Sequence, residues 1–123
     1  MDVYTSEVVN IGINALDFLG EKMIILFGED APLDLAKFSI LIKYSNLLLP
    51  LEKDDFVIIG DSKYTITSIG EEVNVNLSEL GHVVLKFDAS IEPMLPGNIH
   101  VSPTDLPNVV SGTQIIFKKR WLT

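Results

Sequence analysis

Two histidines, His82 and His100, are the residues best suited to group-transfer chemistry in this sequence, which contains no cysteine. A histidine can act as a nucleophile, transfer protons or bind a metal. The absence of thiols excludes disulfides, thiolate zinc sites and cysteinyl-phosphate intermediates within this chain. Metal binding has little support, because the histidines lie 18 positions apart and no HExxH helix is present. We therefore expect neither a metal nor a cofactor.

His82 opens a run in which Val83, Leu85 and Phe87 alternate with more polar positions. This period of two predicts a strand whose apolar face points to the core, with His82 and Lys86 on the opposite face. An imidazole at a strand start can accept a phosphoryl group on one ring nitrogen while a backbone carbonyl holds the other. Lys86 would lie about 13 Å away along the strand, at about 3.3 Å per residue, so it would support a phosphate only through its charge.

His100 lies between Ile99 and Val101 in a second apolar run, again on the more polar face. The commonest role of such a histidine is structural, half-buried and hydrogen-bonded to the backbone. No GxSxG elbow accompanies either histidine, and neither GxxxxGK[ST] nor GxGxxG occurs. Serine-hydrolase and nucleotide-dependent chemistry are therefore not supported.

The 123 residues, 47% of them hydrophobic, suit a single domain over residues 1–123. Nine basic and 17 acidic residues give a net charge of −8, which disfavours nucleic acid and favours a basic protein partner. The one basic cluster, residues 118–120, is expected to be a solvated chain end. No secretory leader and no apolar run of about 18 residues is present, so we expect a cytoplasmic protein without membrane insertion.

Short apolar runs separated by Gly, Pro, Asn and Asp predict an all-β domain. The predicted strands are Val3–Ile13, Met23–Phe27, Phe38–Tyr44, Phe56–Ile59, Lys63–Ile69, His82–Asp88, Asn98–Val101 and Gln114–Phe117. Closure into a small barrel, or near closure, would hide the strand edges most completely. Short helical segments are predicted at Asn14–Gly20, Asp30–Leu35 and Leu77–Gly81. Each is expected to connect strands and not to form a packing layer. The apolar run Leu47–Leu51 is expected beneath a barrel end, and its alternative role is an exposed partner surface.

Residues 79–88 (ELGHVVLKFD) and 96–101 (PGNIHV) together resemble the C-terminal signature of the glucitol/sorbitol-specific IIA family of the bacterial phosphotransferase system. Residues 27–35 (FGEDAPLDL) and 64–70 (YTITSIG) extend the resemblance over nearly the whole chain. The resemblance implies a small closed β-barrel that relays a phosphoryl group. The donor would be the histidine phosphocarrier protein and the acceptor a IIB component, while a separate sorbitol-specific IIB/IIC membrane component binds and moves the sugar.

Under this resemblance His82 is the preferred phosphoacceptor, His100 is the second choice or a supporting group, and Lys86 supports the phosphate. The sequence departs from the family at Ile42, the position at which the resemblance implies a histidine. This departure favours one alternative, a noncatalytic regulatory or interaction module that keeps the barrel and has lost the relay. A separate alternative is an unrelated barrel that binds a small ligand in an apolar cavity, for which the sequence gives no specific sign.

Overall fold

The fold, described by a computed structural model over residues 1–121, is a closed barrel of eight strands. The strands are β1 (Asp2–Ile11), β2 (Met23–Gly28), β3 (Ile40–Ile42), β4 (Phe56–Ile59), β5 (Ser62–Ile69), β6 (Val83–Lys86), β7 (Asn98–Ser102) and β8 (Gln114–Lys118). Their order around the barrel is β1-β3-β2-β6-β7-β5-β4-β8, and β8 pairs with β1 to close it. The predicted all-β barrel is confirmed. Leu122 and Thr123, which the single-domain prediction includes, lie outside the described residues.

Two of the eight strand pairs, β2 with β3 and β6 with β7, are parallel, and the other six are antiparallel. Parallel neighbours need a crossover connection, because the chain must return to the starting end of the barrel. Residues 29–39 form the first crossover and residues 87–97 the second. These two irregular segments are the parts of the fold that build its surface features.

The barrel interior is filled by the alternate residues of each strand, as the period of two requires. Val57, Ile66, Ile99 and Phe117 are all completely buried. Large apolar side chains from every strand fill the interior and form a packed core.

Three helices decorate the barrel: a 3-10 helix (Ala15–Glu21), α1 (Leu33–Ala36) and α2 (Val73–Leu80). The first ends at Lys22, which adopts φ 58°, and not at Gly20 as predicted. Helix α2 begins four residues earlier than predicted, and its Val73 and Leu77 are completely buried in the core. The prediction that it only connects strands was wrong, because these two residues, four apart, present one apolar face to the barrel. Within residues 1–121 no helix is long and apolar enough to span a bilayer.

The basic cluster at residues 118–120 is not a solvated chain end, because the side chain of Lys119 is only 2% exposed. Its position follows from strand alternation, since Ile115, Phe117 and Lys119 share the inward face. The amino group donates hydrogen bonds to Asp55 Oδ2 at 2.7 Å and Glu52 Oε1 at 2.9 Å. Asp55 is completely buried and supplies the opposite charge that allows a lysine at a barrel end.

The apolar run Leu47–Leu51 divides between burial and exposure. Leu51 is buried, and Leu47 and Leu49 are half-buried against the core, whereas Leu48 is 61% exposed. Burial beneath the barrel therefore describes most of this run.

Candidate functional site

His82 lies at the junction between α2 and β6, and close backbone packing fixes its place. Gly81 ends α2 with φ 65°, a left-handed conformation that favours glycine. A Cβ added to Gly81 would lie 3.0 Å from the backbone nitrogen of Gly28 in β2. The junction is thus pressed against β2, and the imidazole of His82 is set beside Phe27, with the ring centroids 4.6 Å apart and the planes at 28°.

The hydrogen bonding of His82 distinguishes its two ring nitrogens. Nδ1 lies 3.0 Å from the carbonyl oxygen of Leu26. A carbonyl can only accept, so Nδ1 donates, and the neutral ring then carries its free lone pair on Nε2. Within residues 1–121 the His82 ring forms its hydrogen bond through Nδ1 and none through Nε2, and the side chain is half-buried. In its neutral form His82 therefore presents the lone pair of Nε2 with a fixed orientation.

An apolar cleft of about 220 Å³ adjoins this imidazole on the outer face of the barrel. Its lining comes from β2, the 3-10 helix and the first crossover: Phe18, Ile25, Phe27, Leu35, Phe38, Ser39 and His82. The hydroxyl of Ser39 donates its proton to the Leu35 carbonyl at 2.8 Å, so that proton is not free to bind a ligand. The amino group of Lys37 lies 5.1 Å from the Phe38 ring centroid and places a cation near one wall. The imidazole is thus the one side chain in the lining with a free basic nitrogen.

Lys86 is half-buried on β6, four residues beyond His82. Its positive charge helps to lower the pKa of Asp88 and so stabilises that carboxylate. The predicted support of a phosphate at His82 by Lys86 remains a prediction.

His100 is completely buried, and oxygen atoms face both of its ring nitrogens. Nδ1 lies 2.7 Å from Asp88 Oδ1, and Nε2 lies 2.9 Å from the carbonyl oxygen of Pro93. Burial raises the pKa of Asp88, but the His100 hydrogen bond and the Ser90 backbone N–H outweigh it, so the net direction is downward. An ionised carboxylate and a carbonyl are both acceptors, so the geometry suits an imidazolium that donates from both nitrogens.

The two histidines do not form one site. His100 is in register with Lys86 across the parallel β6–β7 pair, four residues along β6 from His82. His100 instead anchors the second crossover to the barrel wall.

Ile42, at the position where the resemblance implies a histidine, is completely buried in β3. It is in register with Val8 on one side and Gly28 on the other. An aliphatic side chain there has no group that can accept a phosphoryl group.

A buried tyrosine near this end of the barrel was not anticipated from the sequence. Tyr4 is 1% exposed, and its hydroxyl has no hydrogen-bond partner among the described residues. That oxygen lies 3.5 Å from the position of a Cβ added to Gly81. Burial, with a smaller effect from Tyr44, raises the pKa of Tyr4 to about 12, and the nearby Ser45 backbone opposes this only weakly. The hydroxyl is therefore protonated and inert at neutral pH.

Comparisons with known proteins agree with this architecture. A family model described as the phosphotransferase-system glucitol/sorbitol-specific IIA component matches residues 3–116. The glucitol/sorbitol-specific EIIA component of Escherichia coli strain K12 is 32% identical over 116 residues, which cover 94% of each chain. The same component of Shigella flexneri matches with the same identity and coverage. The crystal structure of a phosphotransferase-system IIA component from Enterococcus faecalis V583 superimposes with a TM-score of 0.82 and 33% identity, covering 93% of this chain and 98% of that one.

The barrel and these matches define the class of protein as a phosphotransferase-system IIA component. The chain belongs to the glucitol/sorbitol-specific IIA family.

Proposed function

We propose that this chain relays a phosphoryl group in a glucitol/sorbitol phosphotransferase system and that Nε2 of His82 is the acceptor. The observation that carries the proposal is the hydrogen bond from His82 Nδ1 to the Leu26 carbonyl, which places the lone pair of the neutral ring on Nε2, in a residue that lines an open cleft. Stacking on Phe27 holds the ring in this orientation. In its neutral form such a nucleophile is already oriented and needs no general base.

The transfer requires no nucleotide and no proton transfer to begin. The lone pair of Nε2 attacks the phosphorus of the donor phosphohistidine in line, and the donor P–N bond breaks as the new P–N bond forms. The electron pair of the broken bond stays on the donor ring, which keeps the proton on its other nitrogen and therefore leaves as neutral imidazole. The Leu26 carbonyl continues to accept from Nδ1–H and stabilises the positive charge that the ring gains.

His82 suits this role better than the other positions considered. Both nitrogens of His100 face acceptors in a fully buried setting, so neither has a free lone pair directed at solvent. Ile42 has no nucleophilic atom. His100 as the second-choice phosphoacceptor, and Lys86 as an electrostatic support for a phosphate at His82, both remain predictions.

The partners follow from the relay. The donor is the histidine phosphocarrier protein and the acceptor is the sorbitol-specific IIB component, with the sugar handled by the associated membrane component. The acidic surface of the chain, with its net charge of −8, suits basic protein partners and opposes nucleic acid.

A second candidate function is a regulatory or interaction module of the same fold that carries no phosphate. The buried Ile42 favours it, because the family resemblance implies a histidine at that position. The apolar lining of the cleft also favours it, since phosphate is usually held by polar donors and cations.

The deciding experiment incubates the protein with phosphoenolpyruvate, enzyme I and the histidine phosphocarrier protein, followed by intact-mass spectrometry at alkaline pH. The E. coli glucitol/sorbitol component serves as a positive control for active donors. Wild type is compared with His82→Gln, which keeps a planar polar side chain, and with Ile42→His.

A single acid-labile phosphoryl group on the wild type that is lost in His82→Gln supports the relay through His82. No phosphoryl group on the wild type, with the E. coli protein fully modified, rules the relay out. In that case, gain of a phosphoryl group by Ile42→His would identify the chain as a module that lost its acceptor at residue 42.

A further inference from the structure

The apolar cleft beside His82, which we call the His82 cleft, has a lining that the relay does not use. Phosphate groups are held by polar donors and cations. Five of the seven residues that line the cleft are instead aromatic or aliphatic, and none of the seven is an acid, a lysine or an arginine. A concave apolar surface with a few polar atoms is the usual form of a site for a small molecule.

The two walls of the cleft are tied to each other by backbone hydrogen bonds. The N–H of Gly12 donates to the Ser39 carbonyl at 2.9 Å, and the N–H of Asn14 donates to the Lys37 carbonyl at 2.7 Å. These bonds join the segment that leads into the 3-10 helix to the end of the first crossover. The walls are therefore formed in the free protein, which leaves little ordering to be done when a ligand binds.

The two walls also touch through their side chains. The ring centroids of Phe18, in the 3-10 helix, and Phe38, after α1, lie 6.0 Å apart with the planes at 59°. Contact between the walls makes the cleft a short recess beside β2 and not a long groove. A short recess suits a compact molecule, whereas a bound peptide strand or helix needs a groove several residues long.

The volume of the cleft sets the size of that molecule. The cleft measures about 220 Å³. Apolar cavities of about 150 Å³ accept a benzene ring, while pockets for drug-sized ligands span roughly 300–1,000 Å³. The His82 cleft therefore has room for one ring with a small substituent.

The polar side-chain atoms of the lining can accept hydrogen bonds and have no proton to give. In neutral His82 the ring proton is on Nδ1 and bonds to the Leu26 carbonyl, so Nε2 offers a lone pair. The Ser39 hydroxyl uses its proton on the Leu35 carbonyl and keeps only its acceptor capacity. A ligand that donates one hydrogen bond is matched to these atoms, whereas a ligand that can only accept finds no side-chain donor.

The cost of burying polar groups narrows the class of ligand further. A carboxylate would lose its hydration in a lining that contains no lysine or arginine. The amino group of Lys37 lies 5.1 Å from the Phe38 ring centroid, but Lys37 is exposed and is not part of the lining. A polyol would place several hydroxyl groups against apolar rings and leave most of them without a partner.

We propose that the His82 cleft is a binding site for a small uncharged aromatic molecule that carries one hydrogen-bond donor, as a phenol does. The ring of the ligand packs against the phenyl groups of the lining, and its hydroxyl donates to Nε2 of His82. This inference does not depend on the relay. A ligand bound in this way takes the lone pair that the relay would use, so the two uses of His82 exclude each other.

The test uses the full chain and three probes that share a fluorophenyl ring: 4-fluorophenol, 4-fluoroanisole and 4-fluorobenzoate. Titration followed by ¹⁹F NMR gives the dissociation constant of each probe at pH 8, where imidazole is neutral and a phenol keeps its proton. Long-range ¹H–¹⁵N correlation in labelled protein reports whether Nε2 of His82 accepts a hydrogen bond from the probe. Sorbitol is titrated in the same way as a polyol.

We expect 4-fluorophenol to bind with a dissociation constant of about 1 mM or less, the range for a one-ring ligand. The ether 4-fluoroanisole should bind about fivefold more weakly, because it cannot donate a hydrogen bond. The carboxylate and sorbitol should not bind in the cleft. The ¹⁵N shift of His82 Nε2 should move with 4-fluorophenol and stay unchanged with the other probes.

Two variants locate the site by different means. Ile25→Phe fills the cleft from β2, and His82→Phe removes the ring nitrogens but keeps an aromatic face. Ile58→Phe is the matched control, because Ile58 is half-buried on β4 and does not line the cleft. Ile25→Phe should weaken the binding of 4-fluorophenol at least tenfold, and His82→Phe should bind the phenol and the ether alike. The control should bind as the wild type does.

The proposal is overturned if 4-fluorophenol does not bind to the wild type, if the ether binds as tightly, or if the carboxylate binds best. Unchanged binding in both Ile25→Phe and His82→Phe would also overturn it. N-acetyl-tyrosinamide carries the same phenol on a piece of protein backbone, and tighter binding of this probe would assign the cleft to a side chain of a partner protein instead. Phosphoryl transfer to His82 is measured separately, so either proposal can fail while the other stands.

Discussion

The carbonyl oxygen of Leu26 accepts a hydrogen bond from Nδ1 of His82 over 3.0 Å. This one contact determines which nitrogen of the neutral ring carries the free lone pair. It joins β2 to the start of β6, so the orientation of the imidazole depends on the barrel itself and not on a mobile loop.

The tautomer of His82 is directly measurable. In ¹⁵N-labelled protein above the titration range of imidazole, long-range ¹H–¹⁵N correlation should show His82 with a protonated Nδ1 and a pyridine-type Nε2. The reason is that the Leu26 carbonyl can only accept. The opposite assignment, with the proton on Nε2, would show that this hydrogen bond does not form and would remove the main support for His82 as the acceptor.

Replacement of Lys119 should cost far more stability than replacement of its neighbour. Lys119→Met removes the buried cation of Asp55 and leaves it only the more exposed Arg120 guanidinium at 3.1 Å, and breaking a buried pair typically costs about 3 kcal/mol. Lys118→Met is the matched control, because Lys118 is 32% exposed and its ion pair with Asp2 spans 3.5 Å. Urea unfolding of both variants measures the difference, and equal losses would contradict the burial described for Lys119.

Acid should destabilise the fold through Asp55. Burial raises the pKa of Asp55. The hydrogen bonds from Lys119 and from the Arg120 and Glu52 backbone N–H groups lower it by more than burial raises it, so the net pKa is below its ordinary value of 3.8. The unfolded chain then binds the proton more readily, so this contribution is fully present above pH 3.8 and is lost as the pH falls through the lower folded value. Urea unfolding at pH 6, 4 and 3 should show that decline.

Asp55→Asn should make the decline with acid shallower, whereas Asp61→Asn, on the exposed β4–β5 turn, should not. An unchanged acid profile in Asp55→Asn would assign the acid sensitivity to other carboxyl groups, of which Asp88 is the next to examine.

The two buried tyrosines should respond differently to loss of their hydroxyls. Among residues 1–121 the Tyr4 hydroxyl has no well-formed hydrogen bond, although the Ser45 backbone lies close enough to lower its pKa slightly, so Tyr4→Phe should leave stability unchanged or raise it by about 1 kcal/mol. Tyr64 donates to the Asp105 carbonyl at 2.7 Å, so Tyr64→Phe should lose about 1 kcal/mol. Thermal and urea unfolding test the contrast. A loss in Tyr4→Phe would mean that its hydroxyl has a partner after all.

Gly12 should be essential to the wall of the cleft. A Cβ there would lie 2.2 Å from the Ala36 carbonyl oxygen and 2.6 Å from that of Lys37, so Gly12→Ala must push α1 outward. We expect a loss of about 2 kcal/mol, typical of overpacking, together with altered NMR shifts at Phe38 and His82. Gly20→Ala is the control, since no atom lies within 4 Å of its added Cβ. Equal stability of the two variants would contradict this packing.

Strand alternation was sufficient to predict the barrel. The runs around Ile58, Ile66, Leu85 and Ile99 are short and regularly apolar, and the structure confirms strands at all of them. The cleft could not be predicted in the same way. Its walls include Phe18 of the 3-10 helix, Leu35 of α1 and Phe38 of the turn after α1, which follow no common period, and only the folded barrel brings them together.

Charged residues near strand ends were also misleading. Lys119 lies in a basic cluster that is typical of a solvated chain end. It is buried because it continues the inward-facing alternation of β8, and its partner Asp55 lies 64 positions earlier in the sequence. The pairing of His100 with Asp88 could not be predicted either, because the two residues are 12 positions apart and meet only when the second crossover folds back on the barrel. Contacts over such separations depend on three-dimensional register, which local sequence patterns do not contain.

The seam between β1 and β8 has a consequence for how the protein is made. β8 is the last strand of the described chain, and it pairs with both β1 and β4. Until β8 leaves the ribosome, those two strands have unpaired edges that can template aggregation. The barrel therefore cannot be completed gradually as synthesis proceeds, and its nascent form depends on rapid closure or on a chaperone during that interval.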